Sequence, residues 1–239
     1  MKILPFKKYV LFEDENLIVL NKPSGLSCLD DRSASGKNIQ VMAESYFSDA
    51  SLCHRLDNET SGILLIAKTA ETYREVAMGF QYRTIEKTYL AIVQGRHYFQ
   101  NHVVEIPLSQ TARGRAKVDH RNGKQSTTEL NALETFRNFS LLECKPTTGR
   151  LHQIRIHSAL QNAPLAGDTA YGGKTPYLSE IKKSFNYSKD RNPRPMIDRA
   201  ALHASSISFK LNGDKLNFVA PLPKDMDVML TLLRKYDTP

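Results

Sequence analysis

His54-Arg55-Leu56-Asp57-Asn58-Glu59-Thr60-Ser61-Gly62-Ile63-Leu64-Leu65-Ile66 is a polar turn that runs without a break into an apolar stretch. Gly62 to Ala67 reads as a buried strand, because a short continuous apolar run bounded by turn residues is what a strand covered on both faces needs. The turn before it sets one carboxylate, Asp57, beside a His-Arg pair. A carboxylate at the edge of a rigid strand, among cations, stays ionised and can be aimed at a substrate. Taken alone, Asp57 fits a general base, a nucleophile or a turn cap.

The flanking chain extends the pattern. Val10-Leu11-Phe12 and Leu17 to Leu20 flank turn-prone Glu13 to Asn16 and predict a hairpin. Ile39, Met42, Ala43, Tyr46 and Phe47 repeat at helical spacing. Thr69 can cap a helix running to about Tyr82, with Val76, Ala77 and Phe80 inward. Ile85 to Val93 reads as a strand, Glu129 to Phe136 and Phe139 to Lys145 as a strand pair, and His152 to Gln161 as a helix. Alternation from Ile207 to Leu211, then Asn212-Gly213, then Leu216 and Phe218, predicts another hairpin. Pro223 can start a last helix with Met226, Met229, Leu230 and Leu233 inward. Strands outnumber helices, and several are joined by hairpins. That predicts an α+β fold with a mixed, largely antiparallel central sheet and flanking helices.

The bulk numbers narrow the function. The chain has 239 residues, 41% hydrophobic and 24% charged, as an ordinary globular protein has. No apolar run approaches the roughly 20 residues that span a bilayer, and the N-terminus lacks a secretory pattern. A cytoplasmic protein with no membrane partner is expected. Cys28, Cys53 and Cys144 are widely spaced, which argues against disulfides and a zinc site. The net charge of +8 creates a field that attracts polyanions, of which nucleic acid is the commonest. Two segments concentrate that charge. Ser109 to Gln125 carries Arg113, Arg115, Lys117, Arg121 and Lys124. Gly172 to Arg199 carries Lys174, Lys182, Lys183, Lys189, Arg191, Arg194 and Arg199 among Tyr177, Phe185 and Tyr187. Basic loops with interleaved aromatics suit backbone neutralisation and base stacking, although a solvated surface loop has the same composition.

Common catalytic signatures are missing. The chain has no G-x-S-x-G, no G-x-x-x-x-G-K-[ST] and no G-x-G-x-x-G after a strand. His152 and His157 are five residues apart, the wrong spacing for two metal ligands on one helix face. Three segments stand together instead: His54 to Gly62, Glu86 to Gly95, and Thr147-Thr148-Gly149-Arg150-Leu151-His152-Gln153-Ile154-Arg155-Ile156-His157, trailed by Pro164 to Asp168. With Asn21-Lys22-Pro23-Ser24-Gly25 and Leu202-His203-Ala204, they resemble the RluA-type pseudouridine synthases, in order from about Val10 to about Pro223.

The resemblance implies a fold with a central RNA-binding cleft, and site residues. Asp57 matches the catalytic aspartate, Tyr89 the tyrosine that packs on the target base, and Arg155 the basic residue that pairs with the aspartate. Leu202 matches the apolar residue lining the base pocket, and Arg55 the arginine that enters the RNA stack where the uridine leaves. His54 and Arg150, with Arg113, Arg115, Lys182, Lys183, Arg191 and Arg194 of the basic loops, are the further RNA contacts expected. The reaction breaks N1–C1′ and makes C5–C1′ without oxidation or group import, so no cofactor, metal or nucleotide is expected. Related chains often carry an N-terminal S4 domain. The first hairpin here begins at Val10, which leaves no room for one. The expectation is a single catalytic domain over 1–239, acting as a monomer on a stem-loop of ribosomal or transfer RNA. The rival readings are a catalytically silent RNA-binding protein on the same scaffold and a base glycosidase using Asp57.

Overall fold

The computed structural model describes residues 3–29, 38–182, 185 and 193–238. In chain order the elements are β1 (Val10–Glu13), β2 (Leu17–Lys22), α1 (Ile39–Tyr46), β3 (Ser51–Leu52), β4 (Ser61–Ala67), α2 (Ala70–Gln81), β5 (Glu86–Gln94) and β6 (His102–Glu105). They continue as β7 (Leu108–Gln110), β8 (Ala116–Val118), β9 (Thr127–Thr135), β10 (Phe139–Pro146), α3 (Gln153–Leu160), α4 (Leu178–Ile181), β11 (Leu202–Leu211), β12 (Asp214–Val219) and α5 (Lys224–Tyr236). Backbone contacts divide them into two compact units, Met1–Thr88 with His203–Pro221, and Tyr89–Leu202 with Leu222–Pro239.

In the first unit the strands run β1-β2-β4-β11, with β12 on β11 and β3 on β4. Every β4 residue is buried, so both faces of the strand are covered, and β2 pairs antiparallel along one edge with β11 parallel on the other. That is why the run from Gly62 carries no alternation. Leu17, Val19, Ile63 and Leu65 pack with Val76 of α2 and with Ile207, Phe209 and Leu211 of β11. Asn38 caps α1 by accepting the Val41 N–H, and Thr69 caps α2 by accepting the Thr72 N–H. Ser61 faces His203 and Gly62 faces Ala204 in the parallel register. Gly62 has φ +112, and a Cβ there would stand 2.2 Å from the Ala204 carbonyl oxygen. Only glycine admits so close a neighbouring strand.

The second unit orders its strands β5-β10-β9-β6, all antiparallel, with a separate β7–β8 hairpin. Its inner face packs Ala91, Val93, Leu130 and Leu142 with Ile154 of α3, Leu165 and Leu202. The last helix buries Met226, Met229, Leu230 and Leu233, as its spacing predicts, against Phe136, Phe139, Ile181 and Ile197. The mixed, largely antiparallel α+β class is the one the strand pattern predicts.

Two readings of the basic segments need correction. Ser109 to Gln125 is not an irregular loop, since Leu108–Gln110 and Ala116–Val118 pair as a short hairpin. Gly172 to Arg199 is not wholly outside the core, since α4 and Ile197 insert two isoleucines into the cluster under α5. Strand β11 also starts at Leu202, ahead of the alternation, because the small residues Ala204 and Ser205 hide its period.

Candidate active site

The Asp57 turn is held from beneath through its backbone. Lys22 is fully buried, and its Nζ donates to the carbonyls of Pro23 (3.0 Å), Leu26 (2.8 Å) and Asn58 (3.1 Å). The Gly25 N–H donates to the same Asn58 carbonyl at 2.8 Å. On the other side of Asp57, the Leu56 N–H donates to Cys28 Sγ, and the thiol donates back to the Leu56 carbonyl, both at 3.4 Å. Burial pushes the Cys28 thiol pKa up, so it keeps the proton it donates. The Thr60 N–H closes the turn on the Asp57 carbonyl at 3.1 Å. Asp57 itself is half-buried between these anchored neighbours. Downstream, Ser61 Oγ is hydrogen-bonded to His203 Nδ1 at 3.0 Å, and His203 Nε2 lies 3.3 Å from the Ala220 carbonyl.

The two residues before Asp57 divide their work. Arg55 is exposed, and its guanidinium makes no hydrogen bond or ion pair among the described residues. His54 is engaged within the fold. Its Nε2 accepts the Leu65 N–H at 3.1 Å, and its ring lies 4.8 Å from that of Phe80. Burial, then the charge of Lys87, lowers its pKa to about 3. Lys87 is itself lowered to about 8 by burial. The ring spends a lone pair on a backbone amide, so His54 ties the Asp57 turn to strand β4.

In the second unit, Arg155 on α3 is 6% exposed and forms a bidentate pair with Asp168, which is 1% exposed, with both contacts at 2.7 Å. The guanidinium carbon also stands 5.2 Å from the centre of the Tyr171 ring. In the sequence Asp168 is only the tail of a motif, and Tyr171 carries no signal of a role. The signal available was an acid at the end of Pro164 to Asp168, without a stated partner. Gln153, within the 147–157 segment, likewise takes its role only from the fold. Its Oε1 accepts the Thr148 hydroxyl (2.7 Å) and the Arg150 N–H (3.0 Å), while its Nε2 donates to the Thr127 carbonyl and Thr128 Oγ1 (both 2.9 Å). This amide shapes the Gly149-Arg150 turn, and Arg150 Nε adds a bond to the Gln125 carbonyl at 3.2 Å. His157 is buried between Ser126 and Thr128 and is a core residue; burial lowers its pKa.

Tyr89 and Leu202 come together in one apolar cluster with Ile154, which precedes Arg155. Tyr89 is half-buried on β5, opposite Cys144 of β10, and Leu202 is 3% exposed. Arg113 and Arg115 are exposed in the tip of the β7–β8 hairpin. Lys182 sits between the rings of Phe185 (5.4 Å) and Tyr236 (5.0 Å), and Arg194 is exposed. Lys183 and Arg191, also expected to contact RNA, lie outside the described residues. Arg199 leaves the basic set. It is buried and bidentate to Asp225 (2.7 and 3.0 Å), and donates to the Ala200 and Leu202 carbonyls. Among the described residues, no helix is long and apolar enough to cross a membrane.

Residues 16–160 match the family model described as RNA pseudouridylate synthase. The ribosomal large subunit pseudouridine synthase C of Haemophilus influenzae is 36% identical, over 98% of this chain and 71% of its own. The ribosomal large subunit pseudouridine synthase D of Zymomonas mobilis is 31% identical, over 94% of this chain and 72% of its own. Among solved structures, human RNA Pseudouridylate Synthase Domain Containing 4 superposes with TM-score 0.72 at 24% identity, covering 96% of this chain and 94% of that one. That likeness speaks to the fold.

Proposed function

The chain belongs to the RNA pseudouridylate synthase family, and we propose that it modifies uridine in large-subunit ribosomal RNA with Asp57 as the reacting carboxylate. It is an isomerase that converts uridine to pseudouridine in RNA. The ribosomal substrate is inferred from what the relatives are named for. The observation that carries the role of Asp57 is its turn. The carbonyls on either side are tied down by Lys22, Gly25 and Cys28, so the carboxylate is presented on a backbone that yields little.

Each step needs a named group. The target base must leave its stack, at a cost of a few kcal/mol. The uncommitted guanidinium of Arg55 fills the space it vacates, and Tyr89 with Leu202 holds the base between an aromatic ring and an apolar wall. Asp57 then serves as nucleophile, or as base at the ribose, while N1–C1′ breaks and C5–C1′ forms. The C5 proton departs, with Tyr89 as its acceptor or relay, and N1 gains a proton. Arg155, aimed by Asp168 and Tyr171, is the basic residue of the set. Arg150, the hairpin arginines, Lys182 and Arg194 grip the phosphate backbone. Atoms and electrons balance without an imported group, so the reading includes no cofactor, metal or nucleotide. It places the protein as a monomer in the cytoplasm.

Purified protein incubated with large-subunit RNA labelled with tritium at uridine C5 should release tritium and leave pseudouridine at discrete positions. Appearance of free uracil would point to the glycosidase instead. Release from transfer RNA alone would overturn the ribosomal substrate.

A further inference from the structure

Tyr171 joins two parts of the second unit that the reaction uses separately. Its hydroxyl accepts the Ala116 N–H of β8 at 2.8 Å, with the Ala116 carbonyl 3.4 Å away. The same hydroxyl is 2.9 Å from His152 Nδ1. Its ring meets the His152 ring edge-on at 5.6 Å and lies 5.2 Å from the Arg155 guanidinium carbon. The ring also packs against the small cluster of Leu108, Ala116 and Ile156, with Val118, where the hairpin rests on α3. One side chain therefore touches the hairpin that carries Arg113 and Arg115, at the strand pair beside its turn, together with the start of α3 and Arg155.

The start of α3 is itself constrained. His152, just before the helix, has φ +50, which a non-glycine residue rarely adopts without support. The bond to Tyr171 supplies part of that support, and Arg155 lies less than one turn further on. A shift of the hairpin beside its turn has a direct route through the tyrosine to the guanidinium.

We propose that Tyr171 is a positioning residue that couples RNA seated on the β7–β8 hairpin to the placement of Arg155. The inference rests on the reading above, in which the hairpin grips RNA and Arg155 serves the reaction. The hydroxyl and the ring have separable tasks. The hydroxyl docks the hairpin and the His152 turn. The ring carries Arg155.

The experiment compares steady-state kinetics of Tyr171→Phe, Tyr171→Leu, the double variant Arg113→Ala/Arg115→Ala, and the hairpin changes combined with Tyr171→Phe, using tritium release from large-subunit RNA. Tyr171→Phe keeps the ring and should raise KM by about 3- to 10-fold with kcat nearly unchanged, the size set by one or two hydrogen bonds. Tyr171→Leu should also lower kcat. The hairpin variant should raise KM and flatten its salt dependence. Added to Tyr171→Phe, the hairpin changes should raise KM by less than the product of the separate effects, because an undocked hairpin grips less. A multiplicative combination, or equal kcat for the Phe and Leu variants, would overturn the coupling while leaving the hairpin as an RNA contact. A hairpin variant with unchanged KM and salt slope would overturn the RNA role of the hairpin, and the coupling with it.

Discussion

The turn that carries Asp57 and the helix start that carries Arg155 solve one problem by opposite means. Asp57 is half-buried, and its neighbours are tied down through backbone carbonyls by a buried ammonium and a buried thiol. Arg155 is buried, and it is gripped at its own tip by a carboxylate and an aromatic ring. A short side chain needs only its backbone fixed, because few rotatable bonds separate the two. A long one must be held at the far end, since fixing its backbone leaves most of its freedom intact. Lys22 illustrates the second rule in the service of the first: its ammonium has three carbonyl acceptors, so the buried charge is hydrogen-bonded throughout its donor set.

This contrast can be broken by mutation. The largest effect belongs to the reacting group. Asp57→Asn should cut tritium release by about 10³-fold or more while filter-binding affinity for RNA stays within a few-fold. Retained turnover in that variant would remove Asp57 from the chemistry. Next come the anchors. Asp168→Ala removes the bidentate partner of a buried guanidinium and should cost about 3–5 kcal/mol in urea unfolding. Lys22→Met leaves three carbonyl acceptors without their ammonium and should cost about 2–4 kcal/mol. The two variants should differ in kind, with Lys22→Met loosening the Asp57 turn and Asp168→Ala freeing Arg155. Hydrogen exchange at the Leu56 and Thr60 amides should rise only in the first; a rise in both would erase the distinction. The last prediction concerns His54 and appears only in acid. Its folded pKa of about 3 lies below the ordinary 6.5, so the unfolded chain takes up the proton first. Stability should therefore decline as pH falls from 6.5 towards 3, and His54→Gln should flatten that slope. An equal slope in the variant would mean that other groups dominate acid unfolding.

What was legible followed local rules. Thr69 acts as a cap, Asn212-Gly213 turns a hairpin, and the last helix buries the four residues its period marks. The hairpin at β7–β8 was obscured because its strands are three residues each and its charges mimic a solvated loop. Arg199 looked like another loop cation, since Asp225 lies twenty-six positions away and no local pattern links them. His54 stands in a polar turn in the sequence, and only the folded chain brings Phe80 and the Leu65 amide to its ring.

Composition, periodicity and the order of the motifs were enough for the α+β class, for the family resemblance and for singling out Asp57, because each depends on residues close together in the chain or on summed charge. Which cations are free and which are spent was decided only in three dimensions. Arg55 is exposed and free of hydrogen bonds and ion pairs to the described residues, Arg155 is held by Asp168 and Tyr171, and Lys22 is sealed beneath a turn thirty-six positions downstream. A charged side chain has a fixed identity in the sequence, but its partners, its burial and hence its availability are properties of the packing around it.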